Sequence, residues 1–197
     1  GSQRGAGRRR RSRARDIGRQ QRGQNLPREQ AGAVELHADE IGGRVALVTN
    51  DVVGPLHGDA AERSLAGAGL SKVFALSGNH VMPVYDAAIE AKLDLVHVRH
   101  EGAAVHMADA WARLTGTTGI ALVTGGPGHA NALGALYTSL QGETPMVLLS
   151  GHAPLSELGK GAFQEMAQAD AAGPLVKASW TAQSAATLGE DIARAVR

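Results

Sequence analysis

The feature that most constrains the fold is a regular alternation of short apolar segments with segments of helical character, from residue 58 to residue 197. The apolar segments at 73–76, 120–124 and 146–150 are rich in Val, Ile and Leu and contain almost no polar residue. Strands that are buried on both faces have this composition, so the alternation predicts a parallel sheet covered by helices on both sides. Right-handed crossovers then give an α/β fold, a doubly wound three-layer domain with a mainly parallel sheet.

Turn-forming residues separate the predicted elements, most clearly Ser77-Gly78-Asn79 and Gly125-Gly126-Pro127-Gly128. The predicted strands are 45–49, 73–76, 93–98, 120–124, 146–150 and 175–180, and the predicted helices are 60–68, 81–92, 102–114, 129–140 and 185–196. In sheets of this kind, ligands bind beyond the carboxyl ends of the strands. We therefore expect functional residues within 77–80, 100–101, 124–131 and the loop after residue 150.

The first part of the chain differs from the rest in charge. Residues 1–30 hold ten arginines and two acidic residues, a net charge of +8, whereas residues 31–197 have a net charge of −7. A segment with so many basic residues and so few apolar ones predicts a disordered leader over residues 1–44, followed by a folded domain over residues 57–197. The sequence leaves open whether this leader is native.

Composition excludes several classes of protein. The 197 residues include no Cys, so disulfides, thiol nucleophiles and zinc–thiolate sites are ruled out. No apolar run is long enough to span a membrane, and the acidic folded part is unlike a nucleic-acid-binding surface. We expect a cytoplasmic protein.

Two of the predicted strand ends carry residues suited to binding and catalysis. Glu101 follows one strand at the start of a helix, where the helix dipole favours a carboxylate. The glycines at 125, 126 and 128 follow another strand and allow a ligand to approach the backbone closely. Asn131 stands where a dinucleotide fingerprint requires Gly, which disfavours a nicotinamide or flavin site. The histidines show no metal-binding spacing.

Five segments, in this order, resemble the N-terminal pyrimidine-binding domain of thiamine diphosphate-dependent enzymes: VFALSGNHVMPVYDA, RHEGAAVHMADAWAR, ALVTGGPGHANALGAL, TPMVLLSGHAP and GAFQEM. The resemblance covers about residues 57–197. It is strongest to the acetolactate synthase group, because the A-F-Q-E run at 162–165 is particular to that side of the family. Oxalyl-CoA decarboxylase, 2-hydroxyacyl-CoA lyase and benzoylformate decarboxylase are relatives.

The resemblance implies a role for Glu101 and for the glycine-rich turn. Glu101 matches the glutamate that hydrogen-bonds N1′ of the cofactor's aminopyrimidine and so lets the 4′-nitrogen accept the proton of thiazolium C2. Pro127, Gly128 and Asn131 match the turn that packs against the aminopyrimidine.

The resemblance also implies a group of residues near the substrate. Gln164 matches a catalytic glutamine near the thiazolium, where it contacts cofactor and substrate, and Phe163 matches its apolar neighbour. Asn79 and His80 match the first substrate loop, although relatives usually have Gly and Pro there.

The family holds Mg²⁺ and the diphosphate with a G-D-G segment followed later by Asn, in a separate domain. This sequence contains no such segment; Gly58-Asp59-Ala60 lacks the final Gly. We therefore expect no metal ligand here, and Mg²⁺ to be held by a domain outside this chain, on the same or a neighbouring subunit. An apolar patch including Val105, Met107, Leu133 and Leu136 is expected to face that domain. The full-length enzyme is expected to be a homodimer or homotetramer.

These residues predict a fragment of an acetolactate synthase-like enzyme that decarboxylates and joins 2-oxo acids. The isolated chain is expected to be inactive. A thiamine diphosphate-dependent decarboxylase or 2-hydroxyacyl-CoA lyase would share every residue named above, so the substrate stays open. A third hypothesis, from another class, is a non-catalytic interaction protein that binds nucleic acid through its Arg-rich leader. A degenerate stand-alone domain is also left open.

Overall fold

One parallel sheet organises the part of the chain that the computed structural model describes, which is residues 45–50, 65–67 and 69–197. The strands there are β1 (Val45–Asn50), β2 (Lys72–Ala75), β3 (Asp94–His97), β4 (Gly119–Val123), β5 (Met146–Gly151) and β6 (Ala178–Thr181). Their order across the sheet is β3-β2-β4-β5-β1-β6, with every neighbouring pair parallel. All strands therefore present their carboxyl ends at the same edge.

Helices connect these strands. They are α1 (Met82–Ala91), α2 (Glu101–Thr115), α3 (Pro127–Gln141), α4 (Gln168–Ala172) and α5 (Leu188–Val196), with 3₁₀ turns at Asn79–Val81, Leu155–Glu157, Gly173–Leu175 and Ala185–Thr187. Local sequence explains their ends: α3 begins at a proline, and α2 ends at Gly116, whose φ of 68° is left-handed.

Side chains of the central strands alternate between two apolar clusters, one on each face of the sheet. Ile120 and Leu122 pack in one cluster with residues of α1 and α5, whereas Ala121 and Val123 pack in the other with residues of α2 and α3. Successive side chains of a strand point to opposite faces, so this alternation requires helices on both sides. The predicted doubly wound three-layer α/β fold is confirmed.

The predicted boundaries hold to within a few residues for most elements. The last strand starts at Ala178 rather than at residue 175, because a 3₁₀ turn that contains Pro174 occupies the preceding residues. Helix α4 was not predicted from the sequence. Strand β1 precedes residue 57, the predicted start of the domain, and pairs with β5 and β6. The predicted leader, residues 1–44, and most of the predicted helix 60–68 lie outside the described residues.

Two of the residues predicted to belong to the exposed apolar patch do not belong to it. Val105 and Leu136 are fully buried and belong to the cluster between the sheet and helices α2 and α3. Both helices turn these residues toward the sheet, so they cannot face another domain. Met107 on α2 is 40% exposed and Tyr137 on α3 is 50% exposed. No helix in the described ranges has the length and apolar character to cross a membrane.

Candidate active site

Glu101 occupies the first position of α2, at the carboxyl edge of the sheet. The preceding residue, His100, is extended and accepts a hydrogen bond from the backbone N–H of Gly102 at its Nδ1, 3.0 Å away. This side-chain cap satisfies one of the free N–H groups at the helix start. The Glu101 carboxylate then lies in the first turn, where the helix dipole favours negative charge, and is only 8% exposed.

Asn131 fixes the position of this carboxylate. Its side-chain amide Nδ2 donates to Glu101 Oε2 at 3.0 Å, joining the first turns of α2 and α3, which pack against each other. A hydrogen bond to a charged acceptor in a nearly buried setting is stronger than one between neutral groups. The sequence predicted that Glu101 would approach the turn at 126–131, and the hydrogen bond confirms this approach.

The turn between β4 and α3 needs glycine for two reasons. Gly126 has a left-handed φ of 57°, and a Cβ atom there would lie 2.6 Å from the carbonyl oxygen of Gln164. A Cβ atom at Gly128 would lie 2.7 Å from Thr124 Cγ2 and 3.2 Å from Glu101 Oε1. The missing side chain of Gly128 therefore lets the backbone of α3 approach Thr124 and the carboxylate oxygen that Asn131 does not use. Pro127, between the two glycines, is exposed at the start of α3.

The loop 159–165 brings Gln164 to the turn between β4 and α3 and Phe163 to His80. The Glu165 carboxylate shapes this loop by accepting hydrogen bonds from the N–H groups of Gly159 at 2.5 Å and Ala162 at 3.2 Å. These N–H groups, Gly159 first, hold the pKa of Glu165 below its ordinary value. Gln164, the residue before Glu165, has a left-handed φ of 57° and packs on Gly126.

His80 and Phe163 stack on each other, with ring centroids 5.9 Å apart and planes inclined by 22°. His80 is buried, and its Nδ1 lies 3.3 Å from the hydroxyl of Thr124 at the end of β4. Phe163 is 65% exposed and covers the imidazole on its solvent side. Asn79 is exposed beside His80, and within the described residues it has no hydrogen bond to the other site groups. The structure thus brings together all predicted site residues except Asn79.

Three polar residues that support this site were not assigned a role from the sequence. Thr124 contacts His80 and lies against Gly78 and Gly128. Gln168 is buried and hydrogen-bonds the turn through the Gly126 N–H. His129 is fully buried on α3, with its Nδ1 2.8 Å from the hydroxyl of Ser150 on β5. Thr124 and His129 fall within the range 124–131 in which functional residues were expected, whereas Gln168 carried no sequence signal.

Burial lowers the pKa of His129 from its ordinary value of 6.5 to about 4, because desolvation penalises the imidazolium. The unfolded chain takes up this proton near pH 6.5, whereas the folded chain stays neutral down to about pH 4. We therefore expect the free energy of unfolding to fall as the pH drops from 6.5 toward 4, by about 2 kcal/mol at pH 5 relative to pH 7.5.

Urea unfolding of the chain across this pH range measures the effect. In His129→Gln the fall in the free energy of unfolding between pH 7.5 and pH 5 should be smaller by about 2 kcal/mol. His106→Gln, at an exposed position on α2, should retain the wild-type dependence on pH. Equal pH profiles for the wild type and His129→Gln would show that the folded chain binds this proton as readily as the unfolded chain.

Acidic and histidine side chains do not converge on a cation site in the described ranges: no group of three or more is placed to hold a metal ion. The donor set of the site, a fixed carboxylate, two amide side chains and an imidazole, suits a polar organic ring.

Comparison with known proteins gives a consistent result. Residues 57–171 match the family described as thiamine pyrophosphate enzyme, N-terminal TPP binding domain. The large subunit of acetolactate synthase isozyme 3 from Escherichia coli is 44% identical over 119 residues, which are 60% of this chain and 21% of that protein. A probable acetolactate synthase from Mycobacterium bovis is 36% identical over 127 residues, 64% of this chain and 23% of that protein.

A protein of another activity is about as similar. The 2-hydroxyacyl-CoA lyase 2 of Danio rerio is 39% identical over 124 residues, which are 62% of this chain and 20% of that protein. The chain therefore spans between a fifth and a quarter of the length of these curated relatives.

Proposed function

This chain belongs to the thiamine pyrophosphate enzymes, through their N-terminal TPP binding domain, and on that premise we propose that it supplies the cofactor-activating glutamate of an enzyme acting on 2-oxo acids. The proposed reaction is acetolactate synthase-like: a 2-oxo acid loses CO₂, and the remaining acyl fragment, which keeps the electron pair of the broken C–C bond, is joined to the carbonyl carbon of a second compound. The observation that carries the proposal is the hydrogen bond from Asn131 to the buried carboxylate of Glu101, beside Gly128.

The site residues fit the aminopyrimidine end of thiamine diphosphate. Asn131 binds Oε2 of Glu101, so Oε1, which lies toward Gly128, is the oxygen that would hydrogen-bond N1′ of the ring. Pro127, Gly128 and Asn131 would form the wall of the aminopyrimidine pocket. When bound, thiamine diphosphate supplies the nucleophilic carbon and the electron sink that decarboxylation requires.

Glu101 performs the proton chemistry in this proposal. A carboxyl group fixed by one amide donor and largely excluded from water can hold a proton at Oε1 or release it with little rearrangement. Gln164, whose backbone and Cβ pack on Gly126, would orient the cofactor and substrate through its side-chain amide. His80 and Phe163 form the substrate side of the site, with Phe163 restricting the access of water to the imidazole. Asn79 would contact the substrate from the first loop.

We assign Mg²⁺ and the diphosphate to a second domain, on the same or a neighbouring subunit. The exposed Met107 and Tyr137 lie on the two helices that carry Glu101 and Asn131, so the second domain would dock against α2 and α3. We extend the proposal to a homodimer or homotetramer in the cytoplasm. The domain in this proposal covers residues 57–197 together with strand β1, after a leader at 1–44.

A 2-hydroxyacyl-CoA lyase or simple decarboxylase is the second candidate, because the zebrafish lyase is about as similar as the acetolactate synthases. Reading the coding sequence beyond residue 197 tests the architecture, and we expect a G-D-G segment followed by Asn. The enzyme so defined is then supplied with pyruvate or with a 2-hydroxyacyl-CoA. Acetolactate formed from pyruvate supports the first candidate. Cleavage only of the C1–C2 bond of the 2-hydroxyacyl-CoA, which gives formyl-CoA and an aldehyde, supports the second.

The chain by itself should bind thiamine diphosphate only weakly, with a dissociation constant above the micromolar range, and should not turn over pyruvate. The diphosphate carries most of the anchoring charge, and nothing in the described ranges gathers the ligands of a metal ion that would neutralise it. Calorimetric titration with cofactor and Mg²⁺, alongside a pyruvate assay, measures both. Micromolar binding or turnover would mean that this chain contains a complete site.

A further inference from the structure

Gln168 connects the glycine-rich turn to the neighbouring strand. Its Oε1 accepts a hydrogen bond from the N–H of Gly126 at 2.8 Å, and its Nε2 donates to the carbonyl oxygen of Gly151 at 3.0 Å. The side chain is 1% exposed, and both bonds are fully buried. One amide therefore joins the turn after β4 to the end of β5, with each of its polar atoms used.

Side chains contribute little to holding the turn at this point, and its other backbone hydrogen bonds are local: the Gly128 N–H donates to the Gly125 carbonyl at 3.3 Å, and the Ala130 N–H donates to the Gly126 carbonyl at 2.9 Å. Gly125 and Gly126 carry no side chains, and Gly126 adopts a left-handed φ. A Cβ atom at Gly125 would lie 2.7 Å from the Gly151 carbonyl oxygen and 3.1 Å from Gln168 Oε1, so the turn sits directly on the strand end and on the amide. Because side chains constrain this backbone so little, its hydrogen bonds are needed to hold it in a single conformation.

We propose that Gln168 is a positioning residue for the aminopyrimidine pocket: it sets the depth of the 125–128 turn and hence the spacing between Gly128 and the Glu101–Asn131 pair. It acts through the backbone of Gly126 and contacts no ligand. The inference rests on the function proposed above, because the pocket it shapes is the one assigned to the aminopyrimidine.

The test compares Gln168→Met with the wild-type chain. Met has nearly the same length and fills the apolar space, but it can neither accept from Gly126 nor donate to Gly151. Gln183→Met is the matched control, since Gln183 is exposed and donates only to the Thr181 carbonyl two residues away. Gln168→Glu is the second variant, used also if Gln168→Met fails to fold, because it keeps an acceptor for Gly126.

Two readouts are taken by NMR. The first is the hydrogen-exchange rate of the Gly126 amide, expected to rise about tenfold in Gln168→Met, less in Gln168→Glu, and not in Gln183→Met. The second is binding of the fragment 4-amino-5-hydroxymethyl-2-methylpyrimidine, followed at the Asn131 side-chain amide. Its dissociation constant should rise about tenfold in Gln168→Met and stay at the wild-type value in Gln183→Met.

The outcomes distinguish the positioning role of Gln168 from the proposed function. Faster Gly126 exchange together with weaker fragment binding in Gln168→Met alone supports the positioning role. Unchanged fragment affinity in Gln168→Met, while the wild-type chain binds the fragment at Asn131, overturns that role and leaves the proposed function intact. A wild-type chain in which the fragment at millimolar concentration shifts no resonance near Glu101 overturns the proposed function, and with it the role of Gln168.

Discussion

Replacing Glu101 by Gln should slow exchange of the C2 proton of bound thiamine diphosphate by about 100-fold or more, in the enzyme that joins this chain to its diphosphate-binding domain. The amide has the shape of the carboxylate and can still pair with Asn131, but it cannot take up and release a proton. NMR of the bound cofactor after transfer into deuterated water measures the exchange rate directly.

Glu190→Gln is the matched control for this substitution. Glu190 also lies in the first turn of a helix, α5, but is exposed and far along the chain from the glycine-rich turn. It should exchange the C2 proton at the wild-type rate. If Glu101→Gln also exchanged at that rate, the proton-transfer role of Glu101 would have to be abandoned.

Gly119→Ala should destabilise the chain by about 3 kcal/mol, the largest loss expected from a single added methyl group. Gly119 begins β4, and a Cβ atom there would overlap the backbone carbonyl of Ala108 in α2. Neither group belongs to a flexible side chain, so the helix and the strand would have to separate. Urea unfolding of the wild-type and variant chains measures the difference.

Gly134→Ala provides the opposite case. Gly134 lies within α3 and is exposed, and a Cβ atom there would meet nothing within 4 Å. Because Ala has the higher helix propensity, this variant should be more stable than the wild type by about 1 kcal/mol. Equal stabilities of the two variants would contradict the close packing of α2 on β4.

Much of the fold could be predicted because its signal is local. A strand such as β4 is apolar throughout, and the residues that follow it, Gly125 to Gly128, stop the strand in any context. The meeting of Glu101 with Asn131 could also be predicted, since parallel topology places both strand ends at one edge. The exact start of α3 could not, because Pro127 serves equally well as a turn residue and as the first residue of a helix.

The contacts that support the candidate site have no local signal in the sequence. The stacking of Phe163 on His80 joins a loop without periodicity to a 3₁₀ turn more than eighty residues earlier. Gln168 lies in a helix of five residues, too short to show a periodic pattern. The incorrect placement of Val105 and Leu136 has a related cause: an apolar residue on a helix fits the sheet-facing side and an interface equally well until the packing is known.

The central claim is that Glu101, Gly128 and Asn131 line the pocket for the aminopyrimidine. Its most direct test is an NMR titration of the isotope-labelled chain with thiamine diphosphate and Mg²⁺ at millimolar concentration. We predict that the largest chemical-shift changes occur at Glu101, at the 126–128 backbone and at the Asn131 side-chain amide, and that Glu101→Gln reduces them. Changes confined to another surface, or none at saturating cofactor, would contradict the claim.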